Sequence, residues 1–279
     1  MDCLIEKDGV KTELSSLDVL VTDFADSSPS LKVSQKEINN RSGYVFNGAT
    51  HSQKKIVVSG KFVSDSAYEM EEKKDELNAL FSNDEPFYIT KMLPVGDLYE
   101  FELPGQTEGF ELLGQPAEAY KYRYKVITED EISYSFVGKS TAGLLTEFSV
   151  NVKTAELPFG ETIPKNEVIT TDFIKYAGTA KCSQLEWPWT VKLTSTVAQT
   201  GKFKVTIGNR TFESYSPTPL VVGDIFLIKG IETLKNDSNF NDSTNYEHFI
   251  LKPYPTKKVP ISTNFQGKIE LLNKVELYK

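Results

Sequence analysis

The chain has 279 residues, 39% of them hydrophobic and 25% charged, with a net charge of −8. It is long enough for two domains with separate cores, and its composition falls near that of soluble globular proteins, which excludes disorder for its bulk. The acidic balance excludes a general nucleic-acid binder, which needs basic patches to displace counterions from phosphates.

No stretch approaches the roughly 20 apolar residues that span a bilayer, so no membrane insertion is expected. The first residues, Met1-Asp2-Cys3-Leu4-Ile5-Glu6-Lys7-Asp8, lack the basic start and long apolar run of a signal peptide, and folding in a cytoplasm is expected. Cys3 and Cys182 are too few for a disulfide framework or a zinc site and read as reduced thiols.

Strand signals dominate the first half. Ile56, Val58, Gly60 and Phe62 share one face of Lys55–Val63, the period-two pattern of a half-buried antiparallel strand. A helix is predicted at about 67–81. Ser66 and Glu69 form a capping box before it, Met70, Leu77 and Phe81 form its apolar stripe with the Lys74 stem, and Glu69 and Lys73 stand four apart as an ion pair. Pro86 ends it. A single amphipathic helix among strands is expected to lie across a sheet. Tyr99, Phe101 and Leu103 alternate with glutamates; Tyr120, Tyr122, Tyr124 and Val126 alternate with basic residues; Phe148, Val150 and Val152 form a further strand.

Pro158, Gly160 and Pro164 mark a domain boundary, giving domains at 1–158 and 159–279. Beyond it, Trp189-Val191-Leu193, Phe203-Val205-Ile207, Ile225-Leu227, Ile269-Leu271 and Val275-Leu277 alternate between turn signals, as in a β-sandwich or jelly roll. The fold class is mainly β, with one helix in the first domain. The segments 18–39 and 93–116 mix Pro, Gly and acidic residues with scattered apolar ones. They are expected to reach neighbouring subunits, the second through Leu98, Phe101, Phe110, Leu112 and Leu113.

Reaction chemistry is sparse, and no catalytic, cofactor or metal residues are assigned. Gly138-Lys139-Ser140-Thr141 resembles the end of a P-loop, but Ser133 stands where the first glycine belongs, so it reads as a loop between antiparallel strands. His51 and His248 sit without a nucleophile motif. The run Asp237–Asp242 has oxygen ligands at alternating positions but lacks the glycine and closing glutamate of a calcium loop. Trp187 and Trp189 could stack a sugar, although Trp189 heads an apolar alternation and reads first as core.

The order of these elements resembles one family. Asn40-Arg41-Ser42-Gly43-Tyr44 resembles a Gly-Arg-x-Gly-like turn in which Asn40 replaces glycine. The strand Ile56–Phe62 followed by helix 67–81, the strands at Phe87–Ile89 and Tyr120–Val126, the joint Leu157-Pro158-Phe159-Gly160-Glu161 and the closing Ile269–Tyr278 follow in the family's order. The family is the distal tail proteins of long, non-contractile-tailed (siphovirus-type) phages or prophages of Gram-positive bacteria.

The resemblance implies an N-terminal β-sandwich with one helix, six copies of which close a ring, and a C-terminal galectin-like or jelly-roll domain. It implies a structural, non-enzymatic hub at the tail tip of the virion, synthesised in the bacterial host cytoplasm. Its partners would be the tail tube protein, the tail-tip protein and a receptor-binding protein, with DNA passing through the lumen unbound. Three alternatives stay open: a carbohydrate-binding module for host wall sugar, another tail-tube or baseplate component, and a hydrolase.

Overall fold

The computed structural model describes residues 1–95 and 116–279, which form two compact units, Met1–Gly160 and Glu161–Lys279. The expected alternation at Tyr99–Leu103 lies outside the described residues.

The first unit is built on β1 (Asp2–Lys7), β2 (Val10–Glu13), β3 (Val19–Asp26), β4 (Leu31–Glu37), β5 (Tyr44–His51), β6 (Lys55–Ser64), helix α1 (Ala67–Phe81), β7 (Phe87–Pro94), β8 (Ala117–Ala119), β9 (Tyr124–Thr128), β10 (Ser133–Ser140) and β11 (Gly143–Thr154). Nine of these strands form one antiparallel sheet in the order β2-β1-β7-β9-β11-β6-β3, with β8 beside β7 and β10 beside β11. The sheet curls until its end strand β3 lies over β7 and β9: Lys91 Nζ donates to the Phe24 carbonyl at 3.1 Å and Tyr124 Oη to Asp26 at 2.8 Å. Inside sit Ile5, Val21, Phe24, Val58, Ile89, Val126 and Val150, from both ends and the middle of the sheet.

Strand β6 buries every second residue, including Ile56, Val58, Gly60 and Phe62, as its alternation requires. Gly60 has a packing reason. A Cβ there would stand 2.6 Å from the Phe148 ring and 2.7 Å from the Leu20 carbonyl oxygen. Phe148 is its cross-strand partner and covers the bare backbone.

Helix α1 spans the predicted residues and lays Leu77 and Phe81 into the core, Phe81 edge-on to Phe87 at 6.3 Å. Its start departs from a reciprocal box. Ser66 Oγ accepts from the Glu69 N–H, but the Glu69 carboxylate reaches one residue further back, to the Asp65 N–H at 2.7 Å. Lys73 does not pair with Glu69. It turns to the Leu17 carbonyl and Asp18, because the chain before β3 brings that carbonyl and carboxylate within its reach.

Strand β3 corrects the reading of 18–39 as one reaching segment. Its register slips between Val21 and Asp23, so Val19, Val21 and Phe24 all point inward although they break strict alternation.

The second unit is a β-sandwich. A six-stranded sheet carries Thr190–Ser195, Ile225–Ile228 and Gly267–Lys274; a four-stranded sheet carries Lys202–Ile207, Arg210–Tyr215 and Lys258–Thr263. Phe203 of the four-stranded sheet meets Phe226 of the other at 5.1 Å. Phe226 and Ile228 point into this core, so the inward face of that strand is the opposite of the Ile225-Leu227 face read from the alternation. Lys274 is fully buried, its ammonium held by Glu167 at 2.6 Å and by the Lys175 carbonyl.

Candidate assembly surface

Among the described residues, strands β4 and β5 pair with each other alone and form an arm outside the curled sheet. Asn40 and Gly43 at its tip have φ of 63° and 82°, the left-handed region that glycine and asparagine tolerate. Asparagine can therefore stand at the glycine position of that turn.

The register assigns the arm's faces, because directly opposed residues share one. Leu31 faces His51, Val33 faces Ala49, Gln35 faces Phe46 and Glu37 faces Tyr44. A bulge between Ser34 and Gln35 keeps Phe46 and Tyr44 on the side of Leu31 and Val33. The other side carries Lys32, Ser34 and Lys36. On the apolar side Phe46 is 67% exposed, Tyr44 60%, Leu31 56% and Val33 47%. A two-stranded hairpin is marginal alone in water, and a contiguous exposed apolar face marks an interaction site.

The arm's root is fastened. Ser30 N–H donates to the Gln53 carbonyl at 2.7 Å and Ser52 N–H to the Ser30 carbonyl at 3.0 Å, while the Lys54 N–H donates to Thr154 Oγ1 at 3.0 Å. The buried Lys54 ammonium donates to Tyr124 Oη at 3.0 Å and lies 3.4 Å from Asp26. Burial holds that ammonium below its usual range against the opposing pull of Asp26. Burial, joined by the contacts with Tyr122 and Asp26, pushes the Tyr124 phenol up.

Beside the root opens a cavity of about 280 Å³ lined by Asp26, Lys91, Leu93, Tyr120, Tyr122 and Tyr124. The three tyrosines form an edge-to-face ladder with centroids 4.8 and 5.5 Å apart. Lys121 lies over two of its rings.

The residues singled out in the sequence fare differently. Trp189 is fully buried against Phe249, and Trp187 is half-buried with its indole N–H donating to the Asn273 carbonyl at 3.0 Å. The two indoles therefore do not form one sugar platform: Trp189 heads a core strand and has no free ring face. Leu98, Phe101, Phe110, Leu112 and Leu113 lie outside the described residues.

Gly138, Lys139 and Ser140 belong to β10, in a hairpin with β11. That antiparallel setting is not the strand-to-helix turn of a phosphate loop. His51 stands edge-on to Phe159 at 5.6 Å. His248 lies beside Glu247; burial first, then Arg210, holds its imidazolium below the usual range. In the Asp237–Asp242 run, Asn239 and Asn241 accept backbone N–H groups and Asp242 accepts from Tyr246 Oη, so these oxygens serve the local turn. Among the described residues no group of three or more His, Cys, Asp or Glu side chains could hold a metal ion, and no helix is long and apolar enough to cross a membrane.

The arm itself escaped the sequence reading. Its signal is the pair of alternations Leu31-x-Val33 and Tyr44-x-Phe46 on either side of the Asn40–Gly43 turn, on one face of the hairpin because of the bulge.

Among solved structures, that of the phage SPP1 Dit protein, described as a paradigm of the hub adsorption apparatus in Gram-positive-infecting phages, matches with a TM-score of 0.62. It is 11% identical over 98% of each chain. The phage P2 baseplate in its activated conformation with calcium matches with a TM-score of 0.40, at 10% identity over 99% of this chain and 97% of that one. At such identity the SPP1 likeness speaks to the fold alone, a mainly β chain with one helix. No curated protein matches the sequence. The family model for the phage tail protein RIFT-related domain matches residues 7–159. That span is over half of the chain, which belongs to this family of phage tail proteins.

Proposed function

We propose that the chain is a structural hub protein at the distal end of a phage tail. Residues 1–158 form a ring, expected to hold six copies, and residues 159–279 are carried by it. The ring joins the tail tube protein to the tail-tip protein and to receptor-binding parts, and DNA passes through its lumen.

The observation that carries this reading is the arm. Among the described residues its apolar face stays largely exposed, and the chain belongs to a family of phage tail proteins. A head-to-tail contact repeated around an axis closes a ring, and an amphipathic arm supplies one half of such a contact. The net charge of −8 suits a channel that DNA passes without adhering. The dispersed Trp187 and Trp189 leave the sugar-binding alternative without its platform.

The test is position in the particle. Gold-labelled antibody against residues 161–279, applied to phage carrying this chain, is expected at the tail end distal to the capsid. Label along the whole tube would make the chain a tube component, and absence from particles would remove the virion role.

A further inference from the structure

We propose that the outer face of the four-stranded sheet in the second unit binds a linear polyol-phosphate polymer of the host surface, through Lys175, Lys202, Lys204 and Lys258. Binding by this face stands apart from ring formation; the choice of the host surface as the polymer's source rests on the hub reading.

Charge divides unevenly between the units. Glu161–Lys279 holds 15 Lys and Arg against 12 Asp and Glu, whereas Met1–Gly160 holds 16 against 27. Such asymmetry within one chain points to an anionic partner for its basic part. Inside the second unit the lysines sort by sheet. On the six-stranded sheet Lys192 and Lys268 pair with Glu270, Lys235 with Asp224 and Lys274 with Glu167. On the four-stranded sheet, whose edge strand is Phe173–Lys175, alternation turns Ile174, Phe203, Val205 and Val259 inward and the four lysines outward, all exposed. Among the described residues none of the four has an ion pair, and Lys258 lies over the Phe173 ring at 4.4 Å. Glu213, opposite Lys204, accepts instead from Tyr215 Oη at 2.9 Å.

The register lays these ammoniums along a line. Thr206 opposes Ser262, and Lys175 opposes Lys258. Lys204 stands two residues to one side of the Thr206–Ser262 rung and Lys258 four residues to the other. The Lys202–Lys204 and Lys175–Lys258 pairs are therefore about 20 Å apart at roughly 3.3 Å per residue, with two hydroxyls between them. An extended chain that carries a phosphate in every repeat meets both pairs, and its own hydroxyls meet Thr206 and Ser262.

The same face disfavours two other partners. Protein interfaces are depleted in lysine and centred on apolar side chains, and Tyr215 is the one large exposed apolar residue in these four strands. Single-stranded nucleic acid is held by ring faces along its path. Tyr215 offers such a face at the Lys202 end, but the Phe173 ring at the other end lies under an ammonium.

The experiment uses the full chain and poly(glycerol phosphate), with binding measured by calorimetry at about 50 and 200 mM salt. Four phosphate contacts, at ~0.7 per contact for a flexible strand, give an expected loss of about 50-fold between the two salts. Lys202→Gln with Lys204→Gln is expected to halve the salt slope, leaving about a 7-fold loss, and substitution of all four lysines to abolish binding. Lys229→Gln with Lys268→Gln, whose ammoniums are already paired with Glu232 and Glu270, is expected to bind like wild type. Thermal unfolding of each variant checks that the exposed substitutions leave the fold intact. No binding at the lower salt, or binding untouched by the four substitutions, would overturn the face. Oligothymidylate held by the same four lysines at least as tightly would overturn the polyol-phosphate assignment and make this a nucleic-acid surface. The gold-label test is independent of these arms, so a chain missing from the tail end would remove the hub reading and the host-surface source without touching the polymer result.

Discussion

Phe46→Ser tests the arm's proposed role in assembly apart from any role in folding. The residue exposes 67% of its surface in the isolated chain. Taking about 200 Å² for a phenylalanine, roughly 130 Å² stays open to water. At about 25 cal/mol per Å², covering that area in an assembly stabilises it by up to ~3 kcal/mol, or about 150-fold in a dissociation constant. The folded monomer gains almost none of this, so its stability is expected to change by less than about 0.5 kcal/mol. Phe24, buried in the core, gives the contrast: Phe24→Ala should cost about 3–5 kcal/mol of folding stability. The assay pairs sedimentation velocity over a concentration series with thermal unfolding of each variant. Unchanged association for Phe46→Ser, or a melting loss like that of Phe24→Ala, would refute the placement of Phe46 on an outward assembly face.

Other perturbations test the scaffold. Gly60→Ala forces a Cβ against Phe148 and the Leu20 carbonyl and should cost about 1–3 kcal/mol in denaturant unfolding; a neutral result would mean the β3–β6–β11 packing is looser than described. Asp224→Ala removes the carboxylate that binds the Val221 N–H, Asn236 and Lys235, and should cost about 1–3 kcal/mol, read by the melting of the second unit. Burial, with Glu186 second, pushes the Cys182 thiol up from 9.0 to about 12. The folded chain thus keeps a proton that the unfolded chain loses, and this stabilisation, full below pH 9, is lost between pH 9 and about 12 at up to ~1.4 kcal/mol per pH unit. Cys182→Ala should flatten that alkaline decline in denaturant titrations, and an identical slope would count against the burial of the thiol.

The helix, β6 and β11 were legible because each carries an uninterrupted period: Leu77 and Phe81 four apart, Ile56 to Phe62 and Phe148 to Val152 two apart. Bulges hid the rest. In β3 the slip after Val21 moves Phe24 onto the inner face, and in the arm the slip at Ser34 and Gln35 breaks the match between Val33 and Phe46. Lys73 went to Asp18 rather than Glu69 because tertiary neighbours outweigh an exposed i,i+4 pair worth a few tenths of a kcal/mol. The inner face of Ile225–Ile228 had no sequence signal, since all four residues are apolar and only the opposed sheet chooses between them. The tyrosine cavity was readable only as an alternation; its wall needs β3 brought over β9 from a hundred residues away.

Ring building through the arm, as proposed, is open to one decisive comparison. Mass by light scattering on size-exclusion peaks, with negative-stain imaging of the same fractions, compares wild type with Phe46→Ser most directly. The expected result is a closed ring with a central hole for wild type and a monomer for the variant. A monomeric wild type at every concentration, or rings formed equally well by the variant, would contradict it.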